Sequence, residues 1–181
     1  VFHGGMEQED REKALLKFRN GSYRFLITTD LASRGLDIPE IEFVVHYQLP
    51  HNEEAFLHRN GRTARMHSSG TAYVILTEDE KPLFLKDKTV IEVLPEKDIV
   101  PENTSWATLY LGAGRKDKIN KIDIVGLLMK KGKLEKDELG LIEVQDYASY
   151  AGVNRKKIAS IVKLLKNEKI KNKKIKIEIS R

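Results

Sequence analysis

Short apolar runs alternate with helical patterns through the first hundred residues, and this alternation limits the fold more than any other feature. The runs at 25–27, 43–45 and 71–76 are bounded by turn residues, as buried strands are. One helical pattern lies at 7–19, and another begins at Asn52, between the last two runs. Strands that alternate with helices form a parallel sheet covered on both faces, so the sequence predicts an α/β fold here.

The two predicted helices carry recognisable start and stop signals. The first places Ala14, Leu15 and Phe18 on one face, and Gly21 is expected to end it in a left-handed conformation. Asn52 is expected to cap the second helix, whose first turn is acidic and therefore suits the positive end of the helix dipole.

The pattern changes after residue 90, where prolines and polar residues separate short apolar segments. We expect a first domain at 1–90, a linker at 91–104 and a second domain at 105–181. The second domain is predicted to contain strand, helix, strand, strand, helix and strand, at 108–111, 121–130, 141–144, 147–153, 156–166 and 175–179. This βαββαβ order is the split ferredoxin-like arrangement that RNA-recognition-motif domains use, so an RRM-like α/β domain is expected.

Charge divides the chain in a similar way. Residues 1–103 hold 13 Lys and Arg against 18 Asp and Glu, whereas residues 104–181 hold 19 against 9. The two parts therefore carry net charges of −5 and +10, which sum to the overall +5. Such asymmetry favours a second module that faces a polyanion. A lysine-rich solubilising surface is the alternative.

Composition narrows the setting. The chain has no cysteine, which excludes disulfides and thiolate metal sites and fits a reducing, cytoplasmic location. No apolar run is long enough to span a bilayer and no signal peptide is visible, so no membrane partner is expected. The histidines lack metal-ligand spacing, and no metal site is predicted. Because the sequence opens without methionine, we expect a fragment.

The run at 58–65 holds three arginines at fixed offsets around Gly61, which is expected to end the second helix. Guanidinium groups on a rigid scaffold suit a triphosphate whose charge grows during hydrolysis. The loop after the strand at 25–28 reaches the carboxyl edge of the sheet, where ligands bind in open parallel sheets. Its hydroxyls and N–H groups can hold a phosphodiester. A helix end with solvated cations is the simpler explanation of the arginine run alone.

Three motifs, at 3–11, 28–37 and 58–65, together resemble the second RecA-like domain of DEAD-box RNA helicases. The resemblance implies a nucleotide site formed by Gly35, Asp37, Arg62 and Arg65. Within it Arg62 and Arg65 are the implied catalytic residues, one of them the arginine finger. It implies contacts with a first motor domain by Arg34, His58 and Arg59. It implies an RNA-backbone groove lined by Gly4, Arg11, Thr29 and Asp30.

This sequence departs from the family pattern at Asn60, where an apolar residue is usual, and at Ala64, where glycine is common. No Gly-x-x-x-x-Gly-Lys-Ser/Thr run occurs, so nothing in the chain is expected to cradle the β- and γ-phosphates. The resemblance implies that ATP is used with Mg²⁺ held by a preceding domain. The chain alone is therefore expected to hydrolyse ATP negligibly.

Residues 107–119 and 123–126 are similar to the C-terminal RNA-binding domain of DbpA-type helicases, which implies a ribosomal RNA hairpin as partner and a role in ribosome assembly. The residues give their own reason to expect RNA, because two basic clusters are predicted at its surface. One is a loop with Arg115, Lys116 and Lys118. The other is the first turn of a helix capped by Asn154, and it contains Arg155, Lys156 and Lys157. Cations are unfavourable at the positive end of the helix dipole, and a bound phosphate would offset that cost. A lysine-rich helix screened by salt is the alternative.

Aromatic stacking is expected to contribute little. Tyr147 and Tyr150 are three residues apart, so on one strand they point to opposite faces, and at most one can stack a base beside Tyr110. The favoured interpretation is a monomeric ATP-dependent RNA helicase truncated to its second motor domain plus a targeting domain. A non-enzymatic RNA-binding or chaperone module and a DNA motor are the alternatives.

Overall fold

The computed structural model describes residues 1–30, 41–61, 63, 70–80, 82–85, 90–93, 96–97 and 99–180. The chain divides into two compact units, one formed by residues 1–32 with 102–181 and the other by residues 33–101. The domain limits expected from the sequence stay a prediction.

The unit of residues 33–101 contains a parallel pair of strands. Strand β1 (Phe43–His46) pairs with β2 (Thr71–Val74), and helix α2 (Glu53–Asn60) lies between them in the chain. Helix α2 begins where predicted, because the Asn52 side chain accepts a hydrogen bond from the Ala55 amide at 2.8 Å. The α/β class and the parallel sheet are therefore confirmed.

The degree of burial expected for the apolar runs is wrong. Phe43 and Val45 in β1 are half exposed, and Ile75 just after β2 is equally open. Among the described residues the run at 25–27 forms no strand: the bridge between Thr28 and Phe2 lies just after it, and Ile27 is 67% exposed. A single bridge brings no further residues over the neighbouring side chains. These side chains therefore stay exposed although they are apolar.

The other unit begins with helix α1 (Gln8–Arg19). Gly21 follows it at φ 75°, the left-handed conformation that was predicted. The buried residues on α1 are Leu16 and Lys17, while Leu15 and Phe18 are only partly covered.

Residues 106–179 contain four antiparallel strands and two helices in the order β, α, β, β, α, β, with a short extra hairpin before the last strand. The elements are β3 (Trp106–Leu111), α3 (Lys121–Lys130), β4 (Leu139–Val144), β5 (Ser149–Asn154), α4 (Ile158–Leu165) and β8 (Ile177–Ile179). The sheet order is β4-β5-β3-β8. A short separate hairpin of β6 (Lys169–Ile170) and β7 (Lys173–Lys174) lies between α4 and β8 in the chain.

One face of this sheet packs against both helices. Leu109 and Leu111 from β3 meet Ile124 and Leu128 from α3 and Ile161 from α4, all nearly inaccessible. Alternate residues on β3 point the other way, because successive strand side chains face opposite sides of a sheet. The core therefore fixes which side chains of β3 and β5 are presented on the second face.

Candidate nucleic-acid interface

The structure brings together two of the segments predicted to line an RNA backbone. The Phe2 amide donates to the Ile27 carbonyl at 2.7 Å, and Phe2 and Thr28 form a parallel bridge. Gly4 and Thr29 therefore follow the two sides of one bridge, and both are exposed. Exposed backbone and hydroxyl groups at such a point can reach phosphate oxygens.

Arg11 and Asp30 lie near the same bridge in the chain's path. The Arg11 guanidinium stands over the Phe2 ring, 5.3 Å from its centroid. Its Nε is buried and has no hydrogen-bond partner among the described residues. Asp30 is exposed. The stacking contact holds Arg11 against the segment that carries Gly4, and the RNA-backbone groove stays a prediction.

In the other unit, the end of α2 is fixed to β1. The Arg59 Nη1 donates to the Gln48 carbonyl at 2.7 Å, and His46 Nε2 lies 2.7 Å from Asn60 Oδ1. His46 is almost fully buried. Asn60, the departure from the usual apolar residue, is thus the hydrogen-bond partner of a buried imidazole. His58 is exposed on the same helix.

Beyond Gly61, the run at 58–65 is described only at Thr63. The Thr63 amide donates to the Asn60 carbonyl at 2.9 Å, and Thr63 bridges to Ile41. The side chain of Thr63 is buried. The predicted nucleotide and coupling residues Arg34, Gly35, Asp37, Arg62 and Arg65 lie outside the described residues.

The basic loop after β3 is held by backbone hydrogen bonds to the turn between β4 and β5. The amides of Arg115 and Lys116 donate to the carbonyls of Gln145 and Asp146, each at 2.9 Å. Gly114 makes this approach possible, because a Cβ there would lie 2.2 Å from the Gln145 carbonyl oxygen. The loop is therefore a rigid 3₁₀ turn, Arg115–Asp117, and not a flexible tether.

Three cations project from this rigid turn. Arg115 Nε pairs with Asp146 Oδ1 at 3.1 Å, and both side chains are largely exposed. Lys116 and Lys118 are exposed as well, and Lys118 adopts φ 61°, which turns the chain sharply toward α3. Exposed cations on a fixed backbone can contact phosphates with little ordering cost.

A lysine-rich hairpin, β6–β7, lies against this turn. Lys171 Nζ pairs with Asp123 Oδ2 at 2.8 Å, and Lys173 pairs with Asp117. Hydrogen bonds from these lysines are the main reason that the pKa values of Asp117 and Asp123 lie below their ordinary range. The β6–β7 hairpin thus adds cations beside Lys118. Only the density of lysines near residue 170 could have suggested it.

The second predicted basic cluster is arranged differently from the expectation. Helix α4 begins at Ile158, so Arg155, Lys156 and Lys157 form a turn before the helix and not its first turn. Asn154 ends β5 and accepts from the Lys156 amide at 3.0 Å, and it does not cap the helix. The predicted placement of these cations in the first turn is therefore wrong: Arg155 and Lys156 lie before the helix, and Lys157 occupies its N-cap position.

Two of these three cations are engaged with the protein. Arg155 Nε donates to the Thr104 carbonyl at 2.6 Å, and its Nη2 donates to the Ser22 carbonyl at 3.1 Å. Lys157 Nζ pairs with Glu138 at 2.6 Å, and this hydrogen bond is the main cause of the lowered pKa of Glu138. Lys156 is exposed.

The tyrosines do not form an open platform. Tyr147 lies in the turn before β5, so it is not a strand residue as predicted, and it is 74% exposed. Tyr110 and Tyr150 are opposite each other across β3 and β5, with ring centroids 5.5 Å apart and edge-to-face. Tyr150 is buried, and burial raises its pKa.

Matches to two protein-family models identify the family of this chain. Residues 1–67 match the helicase conserved C-terminal domain, and residues 108–179 match the DbpA RNA binding domain. The chain is 35% identical to ATP-dependent RNA helicase DbpA of Bacillus subtilis over 97% of its own length. The chain belongs to the DbpA-type DEAD-box RNA helicases.

Other DbpA-type and DEAD-box proteins agree with this. Escherichia coli DbpA is 33% identical over 98% of this chain. DEAD-box ATP-dependent RNA helicase 53 of Oryza sativa is 49% identical over 44% of it and covers 13% of that protein. The chain spans 43% and 40% of the length of the Bacillus and Escherichia proteins. The predicted order, a RecA-like helicase domain followed by a DbpA RNA-binding domain, is therefore confirmed.

Among the described residues there is neither a metal-binding cluster nor a membrane-spanning helix. Among the described residues, no group of three or more His, Asp or Glu side chains is placed to hold a metal ion. None of the helices that the structure describes is long and apolar enough to cross a membrane.

Proposed function

We propose that this DbpA-type chain supplies the second motor domain and the RNA-targeting domain of an ATP-dependent RNA helicase that acts on structured ribosomal RNA during ribosome assembly. The observation that carries the RNA-targeting part is the rigid 3₁₀ turn at 115–117. It presents Arg115, Lys116 and Lys118 outward on a backbone fixed by the neighbouring turn. The names of the two DbpA relatives support the motor part.

The basic turn suits a folded RNA better than a single strand. Its cations are held at fixed separations, and the β6–β7 hairpin adds Lys171 and Lys173 at its side through their pairs with Asp123 and Asp117. A fixed set of cations recognises a fixed set of phosphates, which a hairpin provides and a flexible strand does not. Lys156 lies on a second exposed turn and extends the same positive surface. Arg155 and Lys157, also predicted as RNA contacts, are engaged by other groups of the protein, Arg155 by the Thr104 and Ser22 carbonyls and Lys157 by Glu138.

The motor side would bind RNA at the bridge between Phe2 and Thr28. Gly4, Arg11, Thr29 and Asp30 gather there, and their amides, hydroxyl and guanidinium can contact successive phosphates. Contacts of this kind grip the backbone without reading bases, as a helicase that acts on varied duplexes requires. The appended domain would raise the local concentration of this backbone-binding surface near one RNA.

ATP would supply the phosphoryl group whose hydrolysis drives the cycle. Arg62 and Arg65 would neutralise charge on it, Gly35 and Asp37 would bind the nucleotide, and Arg34, His58 and Arg59 would contact the first motor domain. The bridge from Thr63 to Ile41 and the hydrogen bond from Asn60 to His46 in β1 support this role, because they fix the end of α2 from which the arginine run continues. Mg²⁺ would be held by that first domain. The protein is proposed to act as a cytoplasmic monomer.

Footprinting of this chain on total ribosomal RNA tests the targeting proposal. We expect protection confined to a small number of structured sites, and we expect an RNA hairpin taken from such a site to compete for it. DNA of equal length should compete poorly. Uniform protection along the RNA, or equal competition by DNA, would contradict the proposal.

A second experiment tests the motor proposal. The protein that includes the first motor domain should show ATP hydrolysis stimulated by ribosomal RNA, and Arg62→Ala should lower it by about 10³-fold or more, since an arginine finger contributes about 10³–10⁵ in rate. Arg24→Ala, a basic residue outside the motifs, is the matched control and should leave the rate unchanged. Hydrolysis by residues 1–181 alone would refute the expectation that this part is inactive by itself.

A further inference from the structure

The four aromatic side chains of residues 106–179 differ sharply in exposure. Tyr150 is 3% exposed, and Trp106 and Tyr110 are partly covered. Tyr147 is 74% exposed, and its ring stacks on none of the aromatic or cationic side chains that the structure describes. Its place in a turn, and not on a strand, leaves this ring open to a ligand.

The backbone beneath Tyr147 is fixed by three hydrogen bonds. Asp146 and Tyr147 form the tip of the turn between β4 and β5, and the Gln145 amide donates to the Ala148 carbonyl at 2.8 Å. The carbonyls of Gln145 and Asp146 accept from the two amides of the basic turn, each at 2.9 Å. A tyrosine on a fixed backbone loses little conformational entropy on binding, because only its two side-chain torsions remain to be ordered.

Positive charge lies beside this ring. The tip of the turn is joined to the 3₁₀ turn that carries Arg115 and Lys116, and Arg115 Nε pairs with Asp146 Oδ1 at 3.1 Å. Cations next to an open aromatic ring favour an anionic partner that also offers a flat apolar surface. A nucleotide offers both, because its phosphate is anionic and every base has a π face.

We propose that Tyr147 is a base-stacking residue, and that the RNA bound by this domain includes an unpaired nucleotide beside its stem. The inference rests on the proposed function and deepens it. Phosphate contacts position an RNA, whereas an unstacked base marks a loop, a bulge or an end. A paired base inside a helix is stacked between its neighbours and has no free face for Tyr147. The ring therefore selects an interrupted stem over a continuous duplex.

Substitution of Tyr147 tests the stack. The affinity for a ribosomal RNA hairpin that the chain protects in footprinting would be measured for the unmodified chain, Tyr147→Ala, Tyr147→Trp and Tyr47→Ala. We expect Tyr147→Ala to weaken binding by about fivefold to 100-fold, the loss of one base–aromatic stack, and Tyr147→Trp to stay within about threefold. Tyr47, 80% exposed in the other unit, is the matched control and should have no effect. Unchanged affinity in Tyr147→Ala would overturn the inference.

The salt dependence of the same variants distinguishes a stack from a phosphate contact. An uncharged ring releases no counterions when it binds, so Tyr147→Ala should lower the affinity and leave the logarithmic salt slope unchanged. A slope reduced in magnitude by about 0.7 or more, the value of one phosphate contact, would show that the substitution acts through the neighbouring cations. That result would overturn the base-stacking role.

Abasic substitution in the RNA identifies the partner of the ring. Each unpaired nucleotide of the hairpin would be replaced in turn by an abasic residue. We expect one replacement to weaken binding of the unmodified chain by the same factor as Tyr147→Ala, and to cause no further loss in that variant, because both changes remove one contact. Losses that add at every position would contradict the stack. The fully paired stem should bind the unmodified chain and Tyr147→Ala equally.

These measurements separate the base-stacking role from the proposed function. A chain that binds no ribosomal RNA would overturn both, whereas equal binding before and after Tyr147→Ala would overturn the base-stacking role alone. Because Tyr147 is exposed, Tyr147→Ala should leave the emission of Trp106 unchanged, which checks that the variant is folded. The abasic series on the unmodified chain needs no protein variant, and binding that is insensitive to every abasic replacement would overturn the inference by itself.

Discussion

At the scale of single residues, Gly114 is the position on which the basic turn depends most. A Cβ there would lie 2.2 Å from the Gln145 carbonyl oxygen and 2.7 Å from Asp146 backbone atoms, and backbone cannot move aside as a flexible side chain can. We expect Gly114→Ala to lower the free energy of unfolding by about 1–3 kcal/mol, the usual cost of overpacking, measured by urea denaturation.

The control for that experiment is another glycine of the same unit. Gly126 lies within α3, and a Cβ there would meet nothing within 4 Å. Gly126→Ala should therefore raise stability by about 0.5–1 kcal/mol, since alanine is the better helix residue. Equal effects from both substitutions would show that the contact at Gly114 is not restrictive.

Asn60 gives a second prediction at this scale. His46 is buried and its Nε2 lies 2.7 Å from Asn60 Oδ1, so Asn60→Leu would leave a buried ring nitrogen without its partner. We expect a loss of about 1–3 kcal/mol in thermal or urea unfolding. Asn60→Asp keeps an oxygen at the same place and should retain most of the stability. A fully stable leucine variant would contradict the role given to this pair.

At the scale of elements, local signals determined what the sequence could predict. Helix α3 has the predicted bounds because Asn120 and Asp123 cap it reciprocally. The turn of Arg155, Lys156 and Lys157 was predicted to be part of α4. Its conformation depends on hydrogen bonds with Ser22 and Thr104, which are far away in the sequence. The strand prediction at 25–27 was wrong for the same reason, because a strand needs pairing partners that its own residues do not specify.

The β6–β7 hairpin carries the pH prediction. Asp117 and Asp123 have lowered pKa values, chiefly through hydrogen bonds from Lys173 and Lys171. The stabilising contribution is therefore fully present above the ordinary aspartate pKa of about 4 and is lost as the pH falls through the lowered values. NMR titration should show the amides of the hairpin changing at those lowered midpoints, and Asp117→Asn should abolish the corresponding step. Midpoints at the ordinary aspartate pKa would contradict the pairing.

At the scale of the whole molecule, the net charges of −5 and +10 for the two parts of the sequence agree with the matches to a helicase domain and to an RNA-binding domain. Composition and motifs were sufficient to predict this organisation. The presentation of the basic turn was not predictable, because it comes from contacts between Gly114 and residues 145–146 that no local pattern indicates.

The salt dependence of RNA binding tests the central claim most directly. The affinity for a ribosomal RNA hairpin that the chain protects in footprinting would be measured across salt concentrations. The proteins compared would be the unmodified chain, K116A/K118A, and K163A, which changes an exposed lysine on α4. The account predicts that the double variant lowers the magnitude of the logarithmic salt slope by about 2, near 0.9 per lost phosphate contact, while K163A leaves it unchanged. An unaltered slope in K116A/K118A would contradict the account.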